Sequence, residues 1–302
     1  MLAIIAPGQG SQTPGMIAGW IEDSSSRQLL ASWSQAIDLD LEKLGTIADA
    51  DEIKDTANAQ PLIVATSLLA AHALDIKNPT VVSGHSVGEL TAAALCAAVS
   101  EIDALRIVRT RGVEMAKAAA QSPSGMSAVL GGQRLDVLSA INSLGLIAAN
   151  DNGGGQIVAA GDLSALAELS ENPPAGARVR ALAVAGAFHT PFMNSAVAPL
   201  QSLTEAMTVN EAHIPFISNR DGGAVTNGSQ ILLQIVNQIS NPVRWDLCMD
   251  TLLSMGVTGV IELAPAGTLI GLIKRAASQI EGFALKTHND IKAAREFAER
   301  HA

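Results

Sequence analysis

The sequence predicts an α/β fold in which a mainly parallel sheet carries helices and a smaller β-rich unit is inserted near the middle. Three observations predict it. Short apolar runs alternate with helix-length stretches through most of the 302 residues. A Gly-x-Ser-x-Gly turn, Gly84 to Gly88, joins one such run to the helix-like stretch that follows. The central segment changes pattern and reads strand–helix–strand–strand–helix–strand.

Taken in order, Leu2–Ala6 is an apolar run with no basic flank before it. It is too short for a signal-peptide core and reads as a buried strand. Ala57–Leu74 reads as a helix, Thr80–Ser83 as a strand, and Val87–Val99 and Ile102–Ala120 as helices. Ser100 and Asp103 have capping-box spacing at the start of the last of these. Gly125–Gly131 then reads as a strand and Leu135–Leu144 as a helix. Leu146–Ala149 and Gln156–Ala160 read as a hairpin around Asn150–Gly155, Leu163–Ser170 as a helix, and Arg178–Ala185 as a strand. That order is ferredoxin-like. Ser122-Pro123-Ser124-Gly125 leads into it, and Asn172-Pro173-Pro174-Ala175-Gly176 punctuates it. The expected insertion is 124–185, within a larger unit made of 1–123 and 186–302. Thr258–Leu263 reads as a further buried strand of that larger unit.

Composition excludes several function classes. Hydrophobic residues make up 48% of the chain and charged residues 16%, enough apolar material for a large core. No apolar block approaches the ~18 residues needed to cross a membrane. Cys96 and Cys248 are the only cysteines and form no Cys-x-x-Cys pair. A disulfide framework or cysteine metal site is not expected, and a cytoplasmic location is. The formal net charge of -10 argues against nucleic acid as a partner, because phosphate binding needs a basic surface.

The chemistry centres on Gly84-His85-Ser86-Val87-Gly88. A serine on a sharp strand-to-helix turn has strained backbone angles and close neighbours, which glycine tolerates. Val81-Val82 before it and Glu89–Ala98 after it supply the strand and the helix. Six histidines compete for the role of base. His72 lies in an apolar helix, and His213, His288 and His301 lie in polar or terminal surroundings. His85 adjoins the nucleophile, but neighbours on a tight turn point apart, so it reads as shaping the elbow. His189 follows the apolar run Ala181–Ala187, read as a strand, and precedes Thr190-Pro191. That places it at a strand end, where α/β sites gather. On these residues alone the choice of His189 stays open.

Pro7-Gly8-Gln9-Gly10-Ser11-Gln12, the serine elbow, Arg111-Gly112, Ala187-Phe188-His189 and Asn241-Pro242-Val243-Arg244-Trp245 occur in that order. Together they closely resemble malonyl-CoA:acyl carrier protein transacylases and the related acyltransferase domains of polyketide synthases, from Met1 to about Arg275. The resemblance implies an α/β-hydrolase-like large subdomain with a parallel sheet and an inserted ferredoxin-like small subdomain. It implies Ser86 as nucleophile, His189 as base, and the main-chain N–H groups of Gln9 and Val87 as oxyanion hole. Arg111 would bind the malonyl carboxylate. Gln238 would orient the histidine through its main-chain carbonyl, and Asn152 would be a polar site residue from the small subdomain. Phe188 would favour malonyl by excluding a methyl branch, unless it is simply a core ring. Lys274 and Arg275, with Arg178 and Arg180, would meet an acidic carrier protein, unless they are ordinary surface charge. Coenzyme A enters as a thioester substrate, and neither a cofactor nor a metal is expected.

The residue types suit that chemistry. Serine is a weak nucleophile until a base takes its proton, and a planar guanidinium grips a carboxylate with two parallel bonds. Without the resemblance, Arg111 reads as a solvated helix arginine beside Arg106 and Arg109. One departure stands out: Ala264-Pro265-Ala266-Gly267 replaces the commoner Gly-Pro-Gly-Lys. It puts the local loop shape in question and leaves the chemistry alone. A serine esterase or thioesterase, and a malonyl-handling subunit of a malonate or polyketide complex, are the rival readings. Arg111, and the lack of an obvious buried acid between Ser86 and His189, count against the hydrolase. The expected protein is a monomeric cytoplasmic acyltransferase that supplies malonyl groups for fatty acid elongation.

Overall fold

The computed structural model describes residues 1–76 and 79–302. In chain order the strands are β1 (Leu2–Ala6), β2 (Val81–Gly84), β3 (Ser124–Gly131), β4 (Ile147–Asp151), β5 (Gln156–Asp162), β6 (Ala177–Ala181), β7 (Phe216–Ile217), β8 (Ala224–Val225), β9 (Val243–Arg244), β10 (Gly259–Glu262) and β11 (Glu281–Ala284). The helices are α1 (Ser24–Ile37), α2 (Leu41–Thr46), α3 (Thr56–Leu74), α4 (Gly88–Leu95), α5 (Glu101–Ala119), α6 (Arg134–Ser143), α7 (Leu163–Glu171), α8 (Val197–Glu205), α9 (Gly228–Gln238), α10 (Trp245–Ser254), α11 (Thr268–Ala276) and α12 (Ile291–His301).

Six strands make one sheet in the order β11-β10-β1-β2-β7-β8, parallel except for the β7–β8 pair. Its central strands β1, β2 and β10 are buried along their whole length because both faces are covered, and β1 is apolar throughout. On β1, Leu2 and Ile4 join a cluster with α3 and α5, while Ala3 and Ile5 join a second with α10 and α11. α3 is buried on nearly every side, as its continuous apolar sequence requires. The loops after β1 and β2 leave this sheet side by side at its carboxyl edge, where parallel α/β sheets place their sites.

The second sheet runs β6-β3-β5-β4-β9. β3, α6, β4, β5, α7 and β6 follow one another between Ser124 and Ala181, with a core of their own around Val129, Ile141, Ile157 and Leu169. β9 comes from outside this stretch and pairs in parallel with β4, Asn150 opposite Val243. A sheet boundary drawn at 124–185 is therefore crossed by one strand.

Local chemistry sets several boundaries. Asp55 caps α3 by accepting from the Ala57 N–H, and Ser100 caps α5 by accepting from the Asp103 N–H. The Asp103 carboxylate takes the Ser100 hydroxyl instead of its N–H, so the expected box is only half formed. The helix expected at Val87–Val99 ends at Leu95, where the chain turns through Ala97 at φ 61°. The strand expected at Arg178–Ala185 ends at Ala181. Leu182 N–H still reaches Met126 O, but Val184 N–H then folds back onto Leu182 O and takes the chain off the sheet. The Gly267 departure has a structural role: its φ is 136°, and the buried Glu262 carboxylate accepts from the N–H groups of Gly267, Leu269 and Ile270. A carboxylate from β10 thus satisfies the start of α11. Among the described residues no helix is long and apolar enough to cross a membrane.

Candidate active site

The turn after β2 is steric in origin. Ser86 has φ 54°, a left-handed conformation held by close packing on either side. A Cβ on Gly84 would lie 2.0 Å from the Gly88 carbonyl carbon, and one on Gly88 would lie 2.3 Å from Ala6 O. Glycine at both places lets β1, the turn and α4 close together. The His85 N–H donates to Ala6 O at 3.0 Å, and the Ser86 N–H donates to Asn219 Oδ1 at 2.7 Å.

The Ser86 hydroxyl lies 2.7 Å from His189 Nε2, and His189 Nδ1 lies 2.8 Å from Gln238 O. A carbonyl can only accept, so Nδ1 carries the proton and Nε2 is free to accept from Ser86. His189 does not end a strand, as expected from sequence. It sits at φ 60° in the segment leading to the 3-10 turn Pro191–Ala196, with its own N–H donating to Ile239 O. His189 is buried, and burial first, with the Arg111 charge second, holds its pKa down at about 3. The imidazole is therefore neutral and able to act as a base across the ordinary pH range.

His85 is placed differently. Its Nε2 pairs with Asn152 Oδ1 at 2.8 Å, and its ring stands edge-on to Trp245 at 5.7 Å. Asn152 thus joins the β4–β5 hairpin to the elbow. A Cβ on Gly8 would lie 2.9 Å from the His85 ring and carbonyl, so the Gly8–Gly10 loop lies against the same residue. Among the described residues, the main-chain N–H groups of Gln9 and Val87 donate to no group of the chain, and Gln9 lines the same cavity as Ser86. The Gln9 side chain is held by Thr56 and Gln60.

Arg111 is 1% exposed and is no solvated helix arginine. Nη1 donates to Gln60 Oε1 at 2.7 Å, and Nη2 to Gln238 Oε1 at 3.0 Å and Ser86 Oγ at 3.3 Å. Its Nε is buried without a partner among the described residues. Burial lowers its pKa to about 10, opposed by Glu89, so it stays a cation. Its neighbours Arg109 and Arg106 are the ordinary helix arginines, bound to Ala57 O and Asp103 respectively.

Glu89, Asn219 and Gln60 were missed from sequence. Glu89 is a buried acid one helical turn beyond Ser86, which corrects the expectation that no such acid lies between Ser86 and His189. It does not touch His189. It accepts from the Asn219 N–H and from Gln238 Nε2, each at 2.5 Å. Burial raises its pKa to about 8, against the Asn219 hydrogen bond and the Arg111 charge. The signal was a lone carboxylate at the head of an otherwise apolar helix.

A cavity of about 230 Å³ opens over Ser86 and His189, lined also by Gln9, Gln60, Asn152 and Phe188. Phe188 also packs in the main core. Arg178 and Arg180 are exposed on the edge strand β6, and Lys274 and Arg275 on the last turn of α11. Arg178, Leu130 and Gln156 face one another across β6, β3 and β5, and Arg275 Nη2 donates to Gln156 Oε1 at 3.0 Å. Arg178 and Arg275 therefore bracket one row of this sheet, at Gln156, which lines the cavity.

The buried neutral imidazole has a thermodynamic consequence. The ordinary histidine pKa is 6.5, and that of His189 in the fold is about 3. Between these values the unfolded chain binds a proton that the fold does not, so stability falls as pH drops below 6.5. This one group contributes a slope of ~1.4 kcal/mol per pH unit. Urea unfolding of wild type and His189→Gln at pH 7 and 5 should show a shallower loss in the variant. Equal slopes would show that His189 is not buried as a neutral base.

The chain that carries this arrangement has relatives. The family model for the acyl transferase domain matches residues 4–296. The chain is 48% identical over 296 residues to the curated malonyl CoA-acyl carrier protein transacylase of Mycobacterium tuberculosis, covering 96% of this chain and 98% of that one. The fold is similar to a crystal structure of MCAT from Mycobacterium tuberculosis, with TM-score 0.95, 47% identity, and 98% and 99% of the two chains covered. It is also similar to a malonyl-transacylase solved in complex with its type II polyketide synthase acyl-carrier protein, with TM-score 0.91, 27% identity, and 98% and 99% covered. The chain belongs to the acyl transferase domain family.

Proposed function

We propose that this enzyme moves a malonyl group from coenzyme A to the phosphopantetheine thiol of an acyl carrier protein through an ester on Ser86. The transfer itself follows the named activity of the relatives, which match over nearly the whole chain. The observation that carries the mechanism is the relay from the Ser86 hydroxyl through His189 to Gln238 O, with Arg111 3.3 Å from the same hydroxyl.

His189 Nε2 takes the Ser86 proton as Oγ attacks the thioester carbonyl. Charge on the carbonyl oxygen falls on the N–H groups of Gln9 and Val87. The C–S bond breaks, and His189 returns the proton to the departing coenzyme A thiolate. The carrier thiol then runs the sequence in reverse: its proton goes to His189, its sulfur attacks the ester, and Ser86 leaves as the hydroxyl. Arg111 holds the malonyl carboxylate throughout, and Phe188 bounds the space beside its methylene. The thioester supplies all the driving chemistry, so no resident cofactor or metal is assigned.

The same reading extends to architecture and partners. The six-stranded layer with its serine elbow supports an α/β-hydrolase-like subdomain of 1–123 and 186–302. The order β6-β3-β5-β4, antiparallel throughout, supports a ferredoxin-like insertion at 124–185. Lys274, Arg275, Arg178 and Arg180 would form a local positive patch on a chain of net charge -10, suited to an acidic carrier. The two free, buried cysteines suit a cytoplasmic enzyme, and we assign a monomer that serves fatty acid elongation.

Mixing the enzyme with malonyl-CoA alone should leave an adduct of malonyl mass on the Ser86 peptide, absent from Ser86→Ala, and carrier protein should discharge it as malonyl-carrier. Discharge to water at the same rate without carrier would make this a thioesterase.

A further inference from the structure

We infer that Glu89, which touches no substrate, is a specificity-positioning residue: it holds the negative charge of the site one amide away from Arg111, leaving the guanidinium a cation whose fork is open to a substrate carboxylate. This rests on Arg111 as the malonyl site and explains how a buried cation can wait there unligated by acid.

A buried guanidinium needs a counter-charge, and the ordinary solution is a direct bidentate carboxylate. Such a pair would occupy the fork that a malonyl carboxylate has to use. Here the partners of Arg111 are two neutral amide oxygens, Gln60 Oε1 and Gln238 Oε1, and the Ser86 hydroxyl. Neutral acceptors bind a guanidinium more weakly than a carboxylate does and yield to one. The acid sits behind Gln238: Gln238 turns its carbonyl oxygen to Arg111 and its amide nitrogen to Glu89 Oε2. The other oxygen, Oε1, accepts from the Asn219 N–H. Both carboxylate oxygens thus face donors and the Arg111 cation lies one amide away, which favours the ionised form against the burial that raises its pKa to about 8.

The arrangement also fixes the reacting parts. Asn219 Oδ1 accepts from the Ser86 N–H and its Nδ2 donates to Gly84 O, so Glu89 braces the elbow through Asn219. Gln238 is the residue whose main-chain carbonyl orients His189. Other titratable groups near Glu89 are His189, itself kept neutral, and Cys248, whose thiol burial keeps protonated. Neither supplies the missing negative charge.

Moving the acid tests the idea. In Glu89→Gln/Gln238→Glu the introduced amide can accept from the Asn219 N–H and donate to the introduced carboxylate, whose other oxygen meets Arg111. Net charge and the chain of donors are kept, and only the distance of the acid from Arg111 changes. The longer bonds of Gln238 Nε2 to Asn219 Oδ1 and Ser86 O, 3.2 and 3.3 Å, are lost for every acyl group alike. Gln238→Glu alone makes the same move with one proton shared between two acids, and guards against a double variant that fails to fold. The readout is the ratio of malonyl to acetyl kcat/KM for transfer to carrier protein, with unfolding curves as a check on the fold.

Glu89→Gln alone sets a donor against a donor and should lower both substrates together by about ten-fold. The double variant and Gln238→Glu should regain acetyl transfer relative to Glu89→Gln, while the malonyl-to-acetyl ratio falls at least about ten-fold below wild type. An unchanged ratio in both folded variants would overturn the inference, as would Glu89→Gln with wild-type rates. If Arg111→Ala in the same assay leaves the ratio unchanged, the fault lies instead with Arg111 as the carboxylate site.

Discussion

His189→Ala should slow formation of the malonyl ester by roughly 10²–10⁴-fold, while His85→Ala stays within about ten-fold of wild type. The two histidines lie at the same elbow, and hydrogen bonding separates their roles. His189 has its Nδ1 proton fixed on Gln238 O and its Nε2 on the serine hydroxyl. That is a base held in the tautomer and direction the attack needs. His85 already spends Nε2 on Asn152, and its ring packs on Trp245. Its loss loosens the link between the hairpin and the elbow and removes no proton acceptor. Quenched-flow mass spectrometry of Ser86 acylation, with no carrier present, isolates this step from carrier docking. A dead His85→Ala beside an active His189→Ala would reverse the assignment. The low pKa of His189 adds a second expectation: the acylation rate should not lose its base near pH 6.5, because the imidazole stays neutral to about 3.

The residues that touch the reacting atoms were legible in the sequence because their chemistry demands a local pattern. The elbow needs glycines around Ser86, and the left-handed φ of Ser86 with the contacts at Gly84 and Gly88 is the reason. The β-α-β-β-α-β order was legible because periodicity and the Pro-Gly breaks mark each element. What escaped was set by tertiary contact. β7, β8 and β9 are two residues each, too short for any periodicity, and exist because neighbouring strands offer edges. The strand thought to run into His189 stops at Ala181, since the chain must leave the sheet to bring the imidazole over Ser86. Glu89, Asn219 and Gln60 are single polar residues with no motif of their own, made functional by partners 51 to 149 positions away. Arg111 could be separated from Arg106 and Arg109 only by the resemblance. In the fold, burial separates it at once.

Arg111→Ala should cut malonyl transfer by roughly two orders of magnitude or more and leave acetyl transfer close to wild type. The guanidinium is 1% exposed, 3.3 Å from the nucleophile, and held by neutral amides that a carboxylate can displace. A charged hydrogen bond in such a place contributes ~1.5–3 kcal/mol, and a bidentate pair exceeds one such bond. Alanine also leaves the malonyl carboxylate desolvated with no cation facing it, which costs more again. A loss of ~3 kcal/mol at 1.4 kcal/mol per decade gives the two orders. Acetyl carries no carboxylate, so it forgoes no ion pair at Arg111. Lysine should rescue malonyl only in part, because a point charge cannot reproduce the fork or hold Gln60 and Gln238 together. The measurement is the malonyl-to-acetyl ratio of kcat/KM in wild type, Arg111→Ala and Arg111→Lys. Equal losses for both acyl groups would make Arg111 a brace for Ser86 and Gln238, and the carboxylate would then need another partner in the cavity. A ratio collapsed in alanine and partly restored in lysine is the outcome that the buried, amide-held cation requires.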